Sequence, residues 1–200
     1  MKQLTDENFD EFLNQSEKLV LIDFWALWCQ PCLLLSPILE KLEKDFGEKI
    51  AFGKVNIEAC PQIAERFEIN QIPTVLLFYK GKVQNGFVGV KSEKTIREWL
   101  EREIEKIEKE NKKEEEIEQV IKWYEEYAKK QGFRLNPNKK AVIRIIKALL
   151  NNEKKYGARY CPCRVITGDL EKDRPKICPC FWHKKEIETM GHCHCGLFWK

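Results

Sequence analysis

Eight of the nine cysteines in this chain stand in four close pairs: Cys29/Cys32, Cys161/Cys163, Cys178/Cys180 and Cys193/Cys195. Cys60 stands alone. The opening stretch, MKQLTDENFDEF, is acidic and amphipathic and lacks the charged, apolar and cleavage regions of a secretory signal. No run approaches the roughly 18–20 apolar residues of a membrane span. The expected location is the cytoplasm, where thiols stay reduced. Clustered cysteines in that setting point to redox chemistry or metal binding rather than to structural disulfides.

Charge is divided unevenly along the chain. Residues 133–200 carry 15 Lys and Arg against 6 Asp and Glu, whereas residues 1–98 carry 12 against 15 and residues 99–132 carry 8 against 11. The basic C-terminal third reads either as a lysine-rich solvated surface or as a docking face for an acidic partner. A 43% hydrophobic composition is enough for a packed core.

Residues 1–98 alternate strand and helix patterns. The apolar run Leu19–Trp25 suits a strand buried on both faces. From Cys32 to Phe46 the apolar residues Leu35, Ile38, Leu39 and Leu42 recur at helical spacing, and Gly47 stops them. Strands are expected at Ile50–Ile57, Thr74–Tyr79 and Val83–Gly89, with a helix at Pro61–Phe67 and another capped by Ser92. That order implies a mixed sheet covered by helices on both faces. From Glu93 the helical signal continues almost to Gly132, through a Glu/Lys run stabilised by i,i+4 ion pairs. One helix over residues 99–132 would span roughly 50 Å at ~1.5 Å per residue. An apolar stripe at Ile117, Val120, Ile121, Tyr124, Tyr127 and Ala128 then marks a second core. A further helix follows Asn136-Pro137-Asn138, and after Gly157 come short cysteine-bearing loops. The expected domains are 1–107, a charged helical connector 108–118, and 119–200. The last is too small to be stable on apolar burial alone, and a metal centre would stabilise it.

Trp28-Cys29-Gln30-Pro31-Cys32 places two thiols three residues apart where a strand feeds a helix. That spacing permits a tight disulfide, and the helix N-terminus favours the Cys29 thiolate. Cys29 is the expected nucleophile and Cys32 the resolving thiol. The segment Phe24 to Cys32 closely resembles the thioredoxin active site, with Gln30 where that family usually has glycine. The resemblance covers about residues 1–107. It implies a buried proton-accepting acid at Asp23, an interacting lysine at Lys54, a cis-proline loop at Pro73 and a substrate-surface glycine at Gly89. Trp25 is expected in the core, and Cys60 as a spectator.

The three C-x-C pairs hold six cysteines, two more than a tetrahedral metal site or a cubane cluster needs. In an extended loop, the two side chains of such a pair point in different directions. Four ligands plus one redox pair is the natural division. The array resembles the catalytic chain of ferredoxin:thioredoxin reductase, over about residues 114–199. It departs from that family in its loop lengths, with 14 and 12 residues between successive pairs. The resemblance implies that Cys161, Cys178, Cys180 and Cys193 ligate a [4Fe–4S] cluster. It pairs Cys163 with Cys195 as the active disulfide, makes Cys163 the exposed nucleophile, and sets His194 beside the cluster to help proton transfer. His183 and His192 are expected at the surface.

The fold class expected is therefore an α/β thioredoxin fold followed by a small, mainly helical iron–sulfur domain. The function expected is disulfide reduction. An acidic, ferredoxin-like carrier supplies single electrons, the second domain reduces the first in cis or in trans, and the first reduces disulfides of target proteins. Neither nucleic acid nor a membrane is an expected partner. The alternative is a thioredoxin carrying a zinc-stabilised partner-binding domain.

Overall fold

A computed structural model describes residues 1–15 and 18–200 of the chain. The chain divides into two compact units, Met1–Glu108 and Lys109–Lys200.

The first unit begins with strand β1 (Lys2–Leu4) and helix α1 (Phe9–Gln15), followed by β2 (Leu19–Trp25), α2 (Gln30–Phe46), β3 (Ile50–Asn56), α3 (Pro61–Arg66), β4 (Thr74–Tyr79) and β5 (Lys82–Val88). The five strands lie in the order β1-β3-β2-β4-β5. β1 and β2 run parallel to β3, while β4 runs antiparallel to both β2 and β5. β2 lies near the middle of this sheet, and so its first six residues are all buried. That is why it reads as a continuous apolar run rather than an alternating one. Two cores form, one on each face. Leu35, Leu39 and Leu42 of α2 pack with Leu21, Phe52, Leu77 and Leu100 on one side. Phe9, Leu13, Ile22, Phe24 and Phe78 pack together on the other. Each such side chain contributes about 1.5–3 kcal/mol on leaving water.

Helix α4 (Glu93–Lys130) is a single 38-residue element that contributes to both units. Its Ile96, Leu100, Ile104 and Ile107 enter the first core. Its Val120, Tyr124 and Ala128 enter the core of the second unit. The second unit continues with β6 (Arg134–Leu135), α5 (Lys139–Tyr156), α6 (Leu170–Asp173), a 3₁₀ turn at Arg174–Lys176, α7 (His183–Met190) and β7 (Phe198–Trp199). β6 and β7 pair antiparallel. Asn138 caps α5, its side-chain oxygen accepting from the amides of Lys140 and Ala141. Gly157 closes the helix in the left-handed region at φ 80°. Val142, Ile145, Ile146, Leu149 and Leu150 of α5 pack on Tyr124 and Phe198. No helix among the described residues is long and apolar enough to cross a membrane.

Candidate redox and metal centre

Cys29 caps α2. Its Sγ accepts the Cys32 amide at 3.2 Å and is bonded to the Cys32 Sγ at 2.05 Å. Both sulfurs are buried, beneath Trp25, Ile57 and Ile72. Strand β2 delivers this pair from behind, and Pro31 in the first turn of α2 needs no amide partner. The Ile72–Pro73 bond is cis. The Pro73 carbonyl accepts the amide of Gly89, which adopts φ 81° with open space where a Cβ would stand. Leu27, Trp28, Leu33 and Leu34 are exposed around the pair. The Trp28 indole donates to Glu58 at 2.9 Å. Trp25 is half-buried, with Lys54 Nζ lying 5.7 Å from its ring centroid.

Asp23 is fully buried, and neither carboxylate oxygen has a hydrogen-bond partner among the described residues. Burial pushes its pKa up to about 7, against the pull of Lys54. Cys60 precedes α3. It is buried, and its Sγ donates to the Leu4 carbonyl at 3.7 Å.

The six remaining cysteines converge in the second unit. The sulfurs of Cys161, Cys163 and Cys195 lie within 4.8 Å of one another. Cys161 also meets the thiols of Cys178 and Cys180, and Cys178 feels the charge of Cys193. Cys163 and Cys195 are free thiols in this structure, with no disulfide between them. The two sulfurs of a C-x-C pair do not point apart: they approach to 3.2 Å in Cys161/Cys163 and 3.6 Å in Cys193/Cys195. The expected divergence fails because alternate residues of a segment share a side, and these two pairs also sit in turns. The Arg164 amide closes one turn on the Cys161 carbonyl, and the Gly196 amide closes the other on that of Cys193. A strand would hold residues i and i+2 on the same face but farther apart than these turns do. What separates the six residues instead is exposure. Cys161, Cys178, Cys180 and Cys193 are buried, whereas Cys163 and Cys195 are half-exposed. Burial and the neighbouring Cys161 sulfur push the Cys163 thiol up to about 12.

Residues 1–102 match the family model for thioredoxin. The chain belongs to the thioredoxin family. Residues 110–200 match the model for the ferredoxin thioredoxin reductase catalytic beta chain, so a thioredoxin domain is followed by a domain of that second family. The chain is 43% identical over 102 residues to the thioredoxin of Buchnera aphidicola subsp. Acyrthosiphon pisum, covering 51% of this chain and 94% of that protein. It is 40% identical to the thioredoxin of Rickettsia bellii, over 50% of this chain and 96% of the other. It is 36% identical to the chloroplastic thioredoxin M-type of Spinacia oleracea, over 51% of this chain and 56% of the other. The thioredoxin domain makes this chain a disulfide oxidoreductase.

The donor set of the reductase-type domain fits a soft metal centre. Cys161, Cys178, Cys180 and Cys193 are all buried in this unit, although the sulfurs that approach within 4.8 Å of one another are those of Cys161, Cys163 and Cys195, and thiolates are the ligands of iron–sulfur clusters and zinc. Crowding drives their proton affinities apart, lowering Cys161 through hydrogen bonds from its neighbours and raising Cys178 and Cys180 beside it. All four can be thiolates together only if a bound cation offsets the charge.

Two expectations need correction. His183 is not at the surface. It is buried against Phe133 and Phe198, bonded to the Tyr127 hydroxyl at 2.9 Å and the Cys180 carbonyl at 2.5 Å. His192 is half-buried and packs at a tilt against Trp199. Neither local sequence gave a sign of those aromatic neighbours, which arrive from other elements. His194, by contrast, is exposed on the loop between Cys193 and Cys195.

Proposed function

We propose that the chain is a self-contained disulfide-reducing system, in which the second domain reduces the thioredoxin domain and the thioredoxin domain reduces other proteins. The observation that carries this reading is the exposure of the six cysteine residues: four are buried and two half-exposed, the division that four ligands plus one exchanging pair requires. Cys161, Cys178, Cys180 and Cys193 would hold a [4Fe–4S] cluster. When bound, that cluster supplies electrons singly to a disulfide that needs two.

The protein's own residues perform the exchange. Cys163, the half-exposed member of its loop, gives up its proton and attacks Cys29 of the oxidised thioredoxin pair. A Cys163–Cys29 bond forms and Cys32 leaves as thiolate. Cys195 then attacks Cys163, re-forming the Cys163–Cys195 disulfide and releasing Cys29. His194, exposed beside Cys195, moves protons at this pair. The reduced Cys29 attacks a target disulfide, and Cys32 resolves the mixed disulfide by attacking Cys29. Asp23, whose pKa near 7 matches the working pH, takes the Cys32 proton, with Lys54 adjusting its charge. Pro73 and Gly89 shape the surface that the target strand meets.

The electrons come from an acidic one-electron carrier of ferredoxin type, drawn to the basic domain, in the cytoplasm. Exchange between the two pairs runs in cis or between copies. The domain boundaries at 1–107, 108–118 and 119–200 belong to the same reading.

The test is anaerobic. Reduced ferredoxin is added to the full chain, and new thiols at Cys29 and Cys32 are followed by alkylation. Reduction is expected in the parent chain and lost in Cys163→Ser. Equal reduction in both refutes the route. Zinc in place of iron and sulfide would favour a partner-binding domain instead.

A further inference from the structure

Cys163 and Cys195 lie 32 residues apart on separate loops, yet one carboxylate joins the two loops. Glu186, in the first turn of α7, forms an ion pair through Oε1 with the guanidinium of Arg164, the residue after Cys163. Its Oε2 accepts the backbone amide of His194, the residue before Cys195, at 2.9 Å. The Glu186 side chain is only 15% exposed and that of Arg164 26%. Arg164 is fixed from the other side by Trp182, its guanidinium 4.7 Å from the ring centroid. The strut thus stands on a helix whose Ile187 is anchored in the core. It grips each loop one residue from the half-exposed thiol.

We infer that Glu186 is a positioning residue that sets the distance between Cys163 and Cys195, and thereby the ease with which they close a disulfide. This rests on the reading that these two cysteines are the exchanging pair. The chemistry follows from geometry. Closing a disulfide between two loops requires bringing both sulfurs to bonding distance, and its equilibrium rises with their effective concentration. A short carboxylate bridge fixes both loops and removes the freedom that closure would otherwise cost. Glu186 itself neither exchanges electrons nor carries a proton in the step. Without it, the His194 amide and the Arg164 guanidinium both lose their partner, and the two loops drift independently.

The experiment isolates this pair in the full, iron-loaded chain with Cys29→Ser and Cys32→Ser. The chain is equilibrated anaerobically in glutathione buffers. In each, one protein disulfide and two glutathione thiols exchange for two protein thiols and one glutathione disulfide. Free thiols at Cys163 and Cys195 are alkylated and counted by peptide mass, and visible absorption is recorded alongside. Glu186→Ala is expected to lower the equilibrium constant for the protein disulfide by about tenfold, an estimate of the effective concentration lost when one tether is cut. Glu186→Gln keeps an acceptor for the His194 amide but loses the charge facing Arg164, and is expected to fall between the two, at about threefold. An equilibrium in Glu186→Ala within twofold of the parent, or moved toward the disulfide, overturns the inference. If Glu186→Ala loses its visible absorption, Glu186→Gln decides alone, and an unmoved equilibrium there overturns it. A parent chain that never forms a Cys163–Cys195 disulfide in any buffer defeats the underlying reading instead.

Discussion

Asp23 and Lys54 are register partners on β2 and β3, yet among the described residues no hydrogen bond reaches either oxygen of the Asp23 carboxylate. Lys54 instead leans over Trp25. The acid is thus left in a buried site with a cation near enough to moderate its charge but not to neutralise it. Burial raises its pKa from 3.8 to about 7. The folded chain therefore binds this proton more tightly than the unfolded chain does. Its stabilising effect is complete below pH 4 and is lost as pH rises to about 7. A shift of about three units corresponds to roughly 4 kcal/mol at most. Asp23→Asn should flatten this slope and stabilise the first unit above pH 7. Hydrogen exchange at β2 and β3 amides, corrected for intrinsic rate, measures it between pH 5 and 8. A parent slope that survives in Asp23→Asn would assign it to another group.

Depth predicts which cysteines hold metal. Cys178 is buried beneath Tyr124, whereas Cys163 is half-exposed. Cys178→Ser should lose most of the iron and sulfide per chain, together with the visible absorption. Cys163→Ser should keep both. Removing iron from the parent should loosen α5 and α7 while leaving the sheet of the first unit protected from exchange, because among the described residues the core of the second unit is built from its own side chains. Full iron content in Cys178→Ser would remove that cysteine from the ligand set.

Much of this architecture was legible in the sequence, for definable reasons. β2, β4 and α2 announced themselves because each buries a long apolar face, so pattern and packing coincide. β1 and α1 did not, because β1 is three residues long and α1 seven, and strand pairing through β3 rather than local pattern holds β1 in place. The start of α5 after Asn136-Pro137-Asn138 and its end at Gly157 were likewise readable from residue type. The cysteine pairs showed that thiol chemistry was present but not how deep each sulfur lies. Depth depends on turns closed by amides such as those of Arg164 and Gly196. Glu186 was invisible as a functional residue, since its two partners are 22 and 8 residues away.

The 14-residue loop after Cys163 is organised by Asp173. Its buried carboxylate accepts the amides of Thr167 and Gly168, the Thr167 hydroxyl and the Lys176 ammonium. These donors hold its pKa well below the usual carboxylate range, the Lys176 bond being the largest cause. The stabilisation is present above about pH 4 and is lost as pH falls through the depressed value. Exchange at Thr167 and Gly168 should therefore be slow at pH 7, relative to intrinsic rates, and fast at every pH in Asp173→Ala. Lys176 also accepts the Cys161 amide through its carbonyl, at 2.8 Å. Loosening this loop should reach the first cysteine pair and lower iron retention. Unchanged exchange in Asp173→Ala would show that the backbone holds the loop by itself.

Tyr124 connects the long helix to the cysteine loops. It is fully buried, packs on Phe198 and donates its hydroxyl to the Cys178 carbonyl at 3.2 Å. Burial, with Cys178 nearby, pushes its pKa far above the usual tyrosine value, so it remains a donor at any working pH. Tyr124→Phe keeps the packing and orphans one carbonyl, at a cost of about 1–2 kcal/mol to the second unit. Tyr124→Ala also opens a cavity, at about 3–5 kcal/mol. Denaturant melts followed through the visible absorption report on the second unit alone. They should therefore fall in the order parent, Phe, Ala. If Phe and Ala fell equally, the hydrogen bond would carry the whole effect, and packing against Phe198 would contribute nothing.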